Sequence, residues 1–221
     1  MSEPVRFYFD YISPYAYVAW TQIHTLAARH GRTVTPIPVL FAGLLNHHGQ
    51  KGPAEIPAKR VYTFKDAYRK AHRAGLPPLQ PPPSHPFNPL LALRISSLPL
   101  PTEVQRRIID AFYAATWAGG GGVESPEVVS RILSDLGLDA ASILDRAERP
   151  ENKAALRAQT EAAIKEQVFG VPTMIADGEL YWGVDALPHL EDRLLGRDPV
   201  PTGVGERWRD VPATASRLGG R

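Results

Sequence analysis

The sequence predicts an α/β fold in which a small βαβ…ββα unit is interrupted by a large helical insertion. Three observations predict it. Two β-rich runs flank one helical run within the first forty residues. Residues 88–169 read as helices, and two more β-runs joined by a tight-turn signal lead into a last helix. A βαβ order is the parallel crossover unit, and its resumption after a helical block means one sheet is split along the chain.

The elements follow in order. Val5 to Asp10 is aromatic and barely alternating, the pattern of a strand covered on both faces. Ser13-Pro14 combines a favoured N-cap with a favoured first helical residue, so Tyr15 to His30 is a helix that Gly31 stops. Thr33 to Leu40 is a second strand. Pro36 and Pro38 put it at an edge, since proline has no N–H for a ladder. Residues 41–92 are mixed, with a helix from about Pro57 to Ala74 that Gly75 ends. Pro77 to Pro89 holds seven prolines and reads as an extended surface loop, a spacer without chemistry.

Thr102 caps a helix with Val104, Ile108, Ile109 and Phe112 on one side, and Gly119 to Gly122 form a flexible break after it. Ser125-Pro126 opens another helix, with Gly137 as its stop. Asp139 caps a short one that ends before Pro150, and Glu151 to Phe169 is a long alanine-rich helix. Thr173 to Ala176 and Leu180 to Trp182 are strands joined by the turn Asp177-Gly178. Asp185 caps a final helix to Leu195, and residues 197–221 form a disordered tail or a surface arm. The expected division is 1–40 plus 165–200 for the split unit, 41–164 for the helical insertion and 201–221 for the tail.

Composition excludes several classes. The chain has 221 residues, 43% hydrophobic and 22% charged, which suits a globular protein with a sizeable core. It has no cysteine, so disulfides, thiolate metal sites, a catalytic cysteine and dithiol exchange are all ruled out. A formal net charge of +2 is not the dense basic face that nucleic acid requires. No run approaches the roughly 18–20 apolar residues of a membrane span, and Met1-Ser2-Glu3-Pro4 is not a signal peptide. A cytoplasmic protein is expected. His47-His48 lacks a third ligand at metal spacing, and no GxSxG, P-loop or GxGxxG is present, so no metal is expected.

Three places can carry chemistry. Ser13 stands at the first strand–helix junction, where a helix N-terminus favours an anion such as a thiolate; taken alone, Ser-Pro reads first as a simple cap. Gly170-Val171-Pro172-Thr173 precedes the third strand, and its X-Pro bond is expected to be cis. Trp182-Gly183-Val184-Asp185 opens the last helix, where Asp185 caps or meets a ligand ammonium.

The sequence resembles the 2-hydroxychromene-2-carboxylate isomerases and the related kappa-class glutathione transferases. The matching stretches are Phe7-Tyr8-Phe9-Asp10-Tyr11-Ile12-Ser13-Pro14-Tyr15, Pro53-Ala54-Glu55-Ile56-Pro57-Ala58-Lys59-Arg60, Phe169-Gly170-Val171-Pro172-Thr173 and Gly178-Glu179-Leu180-Tyr181-Trp182-Gly183-Val184-Asp185. The resemblance implies a thioredoxin-like fold of the DsbA branch, with Ser13-Pro14-Tyr15-Ala16 where that branch carries a redox pair. It implies glutathione as cosubstrate and a homodimer. Ser13 would hydrogen-bond the glutathione sulfur and Val171 would pair its backbone, beside Pro172, with the cysteinyl part. Trp182, Gly183, Val184 and Asp185 would hold the γ-glutamyl end. Gln50 stands where the family carries a site asparagine, and Leu45-Asn46 where its isomerases carry a lysine. The implied reaction is isomerisation of a small aromatic electrophilic carboxylate, by reversible addition of a borrowed thiolate to a conjugated enone. A kappa-like transferase or peroxidase is the first alternative, and a thioredoxin-like binding module without chemistry the second.

Overall fold

Strand β1 (Val5–Phe9) is the centre of the fold. In the computed structural model, which describes residues 3–201 and 203–215, β1 pairs in parallel with β2 (Val34–Pro38) and antiparallel with β3 (Thr173–Ala176). β3 pairs antiparallel with β4 (Glu179–Trp182), giving the order β2-β1-β3-β4. The edge position of β2 leaves the two prolines harmless: the Val39 N–H donates to the Phe9 carbonyl at 2.9 Å, so by alternation the nitrogens of Pro36 and Pro38 point away from β1 to the open edge. Phe7 and Phe9 enter one core and Tyr8 a second, smaller one with Val39, Leu44, Ala163 and Ile175, as period-two alternation requires.

Helix α1 (Pro14–Arg29) connects β1 to β2, with Ser13 as its N-cap. The insertion follows as α2 (Phe41–His47), a 3-10 turn at Pro53–Glu55, α3 (Pro57–Arg73), α4 (Leu90–Ser96), α5 (Thr102–Trp117), α6 (Pro126–Asp135), α7 (Ala140–Glu148) and α8 (Pro150–Lys165). The sheet and the insertion share a core. Phe9, Tyr11 and Trp20 meet Phe112 and Tyr113 of α5 with ring centroids 4.9–6.2 Å apart. Trp117 is wholly buried and its indole N–H donates to the Tyr11 carbonyl at 2.8 Å. That bond ties the end of α5 to the loop carrying Ser13.

Several expectations change. Ser125 and Asp139 do cap α6 and α7, but Thr102 is the first residue of α5 and makes no cap bond; Pro101 holds the cap position. The alanine-rich helix α8 stops at Lys165 rather than Phe169, because Gln167 turns to φ 65° and the Val168 N–H closes back on the Ala163 carbonyl. Helix α2 appears in a stretch read as mixed, since its seven residues are too few for a periodic signal. The proline-rich loop is not a spacer. Leu79, Phe87 and Pro89 are buried, and Gln80 bridges in parallel to Ala118. Asp185 does not cap the last helix. A 3-10 turn at Val184–Ala186 precedes α9 (Leu187–Leu194), and Pro188 near the start of α9 suits the helix entry. In the arm, α10 (Val204–Arg209) forms; residues 202 and 216–221 of the expected tail lie outside the described residues. No described helix is long and apolar enough to cross a membrane.

Candidate active site

β1 ends where the chain must turn into α1, and that turn places Ser13 under the start of β3. The Ser13 hydroxyl accepts the Ala16 N–H at 3.2 Å and donates to the Val171 carbonyl at 3.4 Å. The first bond is the helix cap. The second is long, so this proton is held weakly and is free to turn toward an anion. Ser13 is 7% exposed. The Val171–Pro172 bond is cis, and the Thr173 hydroxyl fixes the turn by donating to the Gly170 carbonyl at 2.8 Å.

These groups open on a cavity of about 640 Å³. One wall is the Ile12–Tyr15 turn. A second is Phe41, Ala42 and Leu45 of α2, continued by Gln50 to Glu55. The start of α3 supplies Lys59, Arg60, Tyr62 and Thr63, the proline-rich loop supplies His85 and Pro86, and Phe169, Gly170, Val171 and Trp182 close the ring. Gly170 lets the Trp182 ring approach closely: a Cβ there would lie 2.6 Å from the indole nitrogen and would shift the ring. Trp182 is 56% exposed at the mouth, against Phe169 at 5.1 Å between ring centroids.

Ser13, Gln50, Val171 and Trp182 therefore share one cavity. Pro172 is buried behind it, its carbonyl accepting the Gly183 N–H at 2.8 Å, and Gly183 takes φ 88°. Val184 and Asp185 face a neighbouring open groove between α1, α3 and α9. There the Asp185 carboxylate accepts from Lys70 Nζ at 2.6 Å, and Lys70 lies 3.6 Å from Asp66, which accepts the Tyr15 hydroxyl at 2.9 Å. Tyr15 lines the first cavity, so this polar chain joins the two spaces. Sequence reasoning missed Phe41, Phe169 and His85 as wall residues. His85 Nε2 lies 3.0 Å from the Ile12 carbonyl, and its other ring nitrogen is buried without a hydrogen-bond partner. Burial pushes the imidazole below its usual range, opposed by the Ile12 bond and assisted by the Arg60 charge. His85 is thus a neutral ring with Nε2–H as the donor.

Asp10 was missed as well. Its carboxylate is 1% exposed and accepts the Ile12 N–H at 3.1 Å and the Phe41 N–H at 2.9 Å. Burial pushes its pKa up to about 7, with the Phe41, Ile12 and Tyr11 N–H groups opposing. The folded chain therefore holds this proton more tightly than the unfolded chain. Between about pH 4 and 7 this group makes stability fall as pH rises, and above 7 its contribution is flat. Burial lowers His24 to about 4 and lowers His85, which gives the opposite slope over part of that window. The comparison with Asp10→Asn isolates the carboxylate. The melting temperature of wild type, relative to Asp10→Asn, is expected to drop between pH 5 and 8. Parallel profiles would show that Asp10 does not titrate there.

A family model described as a DSBA-like thioredoxin domain matches residues 4–195. A 2-hydroxychromene-2-carboxylate isomerase of Sphingobium xenophagum is 27% identical over 197 residues, covering 88% of this chain and 100% of the relative. Glutathione s-transferase kappa 2 of Caenorhabditis elegans is 32% identical over 214 residues, covering 86% of this chain and 91% of the relative. A solved structure of 2-hydroxychromene-2-carboxylate isomerase superposes with a TM-score of 0.80 at 25% identity, covering 95% of this chain and 99% of that chain.

Proposed function

The chain belongs to the DSBA-like thioredoxin domain family, and from that premise we propose that it is a glutathione-dependent isomerase of a small aromatic carboxylate. The observation that carries this reading is Ser13. In a chain without cysteine, a weakly held hydroxyl sits at a helix N-terminus, on the wall of a cavity and beside the cis Val171–Pro172 turn. That is a place to bind a thiolate rather than to supply one. Relatives named as isomerases and as glutathione transferases support the same class of chemistry.

The residues fit the ligand. The Ser13 O–H turns from the Val171 carbonyl toward sulfur, and the first turn of α1 adds its partial positive charge. Bound glutathione would supply the nucleophilic thiolate that the chain lacks. Phe41, Leu45, Pro86 and Phe169 offer an apolar wall for an aromatic ring, and Lys51, Lys59 and Arg60 offer cations for carboxylates. Asp185, at the far side of the groove, keeps the proposed role toward the γ-glutamyl ammonium, in competition with Lys70. We also propose a homodimer, on the resemblance alone. The second reading, a kappa-like transferase at the same site, is favoured by the 32% identity to the nematode enzyme.

Ser13→Ala is expected to raise the thiol pKa of bound glutathione and to lower turnover by about 100-fold, the usual loss for one donor to a developing anion. Calorimetric titration with reduced glutathione, together with thiolate absorbance in both proteins, checks it. No binding to either protein would overturn the reading. Glutathione consumed in step with product would select the transferase, whereas an isomerase leaves it unchanged.

A further inference from the structure

We propose that Asp10 is a positioning residue for this cavity, its carboxylate holding the Ser13 turn and the start of α2 at a fixed separation. The inference rests on the glutathione reading for its ligand, and on three observations for its geometry. First, the two carboxylate oxygens are divided between two adjoining walls: Oδ1 accepts from Ile12, in the turn that presents Ser13, and Oδ2 accepts from Phe41, the first residue of α2. Both residues line the cavity. Second, Asp10 is also bound through its backbone, its carbonyl accepting the Ser13 N–H at 3.2 Å. One residue thus holds both the turn that carries Ser13 and the adjoining wall that begins at Phe41. Third, the N-cap position of α2 is Leu40, which offers no side-chain acceptor, so Asp10 supplies from another element the acceptor that a helix start needs.

The buried carboxylate has no cation partner among the described ion pairs. The titratable side chains that face it are Tyr11 beside it and Tyr113 of α5, both pushed upward by burial and both neutral throughout the relevant range. His85, which reaches the Ile12 carbonyl from the proline-rich loop, is pushed down. Asp10 is therefore the group among these whose ionisation falls near neutrality. Ionised, it accepts from both N–H groups. Protonated, one oxygen becomes a donor and one wall loses its hold. Asparagine reproduces that half-held state permanently, because its nitrogen cannot accept.

The test uses S-methylglutathione as probe, so that no thiol titrates, with wild type beside Asp10→Asn. Wild-type affinity is expected to weaken about fivefold as pH falls from 8 to 6. Asp10→Asn is expected to be about tenfold weaker at pH 8 and flat across the range. Equal affinities and equal pH profiles would overturn the proposal. Amide hydrogen exchange gives a readout that needs no ligand. Either Ile12 or Phe41 should lose protection in Asp10→Asn, while amides of β1 and α5 keep theirs; full protection of both would overturn the proposal. If wild type binds no probe, the glutathione reading fails while exchange still decides the role of Asp10. If Asp10→Asn does not fold, the wild-type pH profile decides it: a flat affinity from pH 6 to 8 sinks the proposal.

Discussion

Trp117→Ala is expected to destabilise the fold by about 4 kcal/mol, the usual range for truncating a fully buried large aromatic. At the scaling for a chain of this size, that lowers the melting temperature by roughly 10 °C. Three losses coincide. The indole leaves a cavity among Phe64, His85 and its own helix, with ring centroids at 6.3 and 5.6 Å. The Tyr11 carbonyl loses its one side-chain donor among the described residues, a buried acceptor left bare. The turn bearing Ser13 loses its tie to α5. Trp208→Ala is the control: that ring is 62% exposed, and the change is expected within about 0.5 kcal/mol. Thermal and urea unfolding of both variants checks the contrast; similar midpoints would mean that Trp117 does not connect sheet and insertion as described.

Gly120→Ala is expected to cost about 3 kcal/mol. A Cβ at Gly120 would stand 2.5 Å from the Ala115 Cα and 2.8 Å from the Ala115 carbonyl oxygen, both backbone atoms of α5. Neither can rotate away, so either the last turn of α5 opens or the following loop lifts off, including the Gly122 N–H bond to the Ala115 carbonyl at 3.0 Å. The adjacent Gly121→Ala meets only the Val128 side chain at 3.3 Å and is expected to cost under about 1 kcal/mol. Denaturation of the pair decides. Equal costs would mean that the loop is loose enough to absorb both.

That glycine run shows where sequence reading stops. Four glycines in a row read as a flexible break, because Gly lacks a side chain to restrain it. Here the missing side chain is what lets the backbone lie flat against α5. The signal of flexibility and the signal of close approach are the same residue, and only the partner separates them. The strands, α1, α3 and α6 were legible because caps, stops and periodicity are local. The Ser13 cap and the cis Val171–Pro172 bond were legible for the same reason. The walls of the cavity were not. Phe41 and Leu45 lie on a helix of two turns, and His85 lies in a proline-rich stretch whose composition says only that it is extended. Asp10 was visible as the last residue of a strand, yet its two N–H partners lie 2 and 31 positions away. Asp185 as a cap was a reasonable local reading, displaced by the 3-10 turn that Pro188 allows to precede α9.

The sheet order has a consequence for how the chain is made. β1 pairs with β3, so Arg6 must find Ile175 and Tyr8 must find Thr173. At a synthesis rate of ~5–20 residues per second, the ribosome needs on the order of 10 s to deliver β3 after β1 has emerged. Until then β1 can pair only with β2, and its other edge, flanked by Phe7 and Phe9, stays open. The helices of the insertion emerge during that interval, and α5 brings Phe112 and Tyr113 onto the same aromatic face. The insertion thus covers the aromatic face of β1 while its β3 edge is still unpaired.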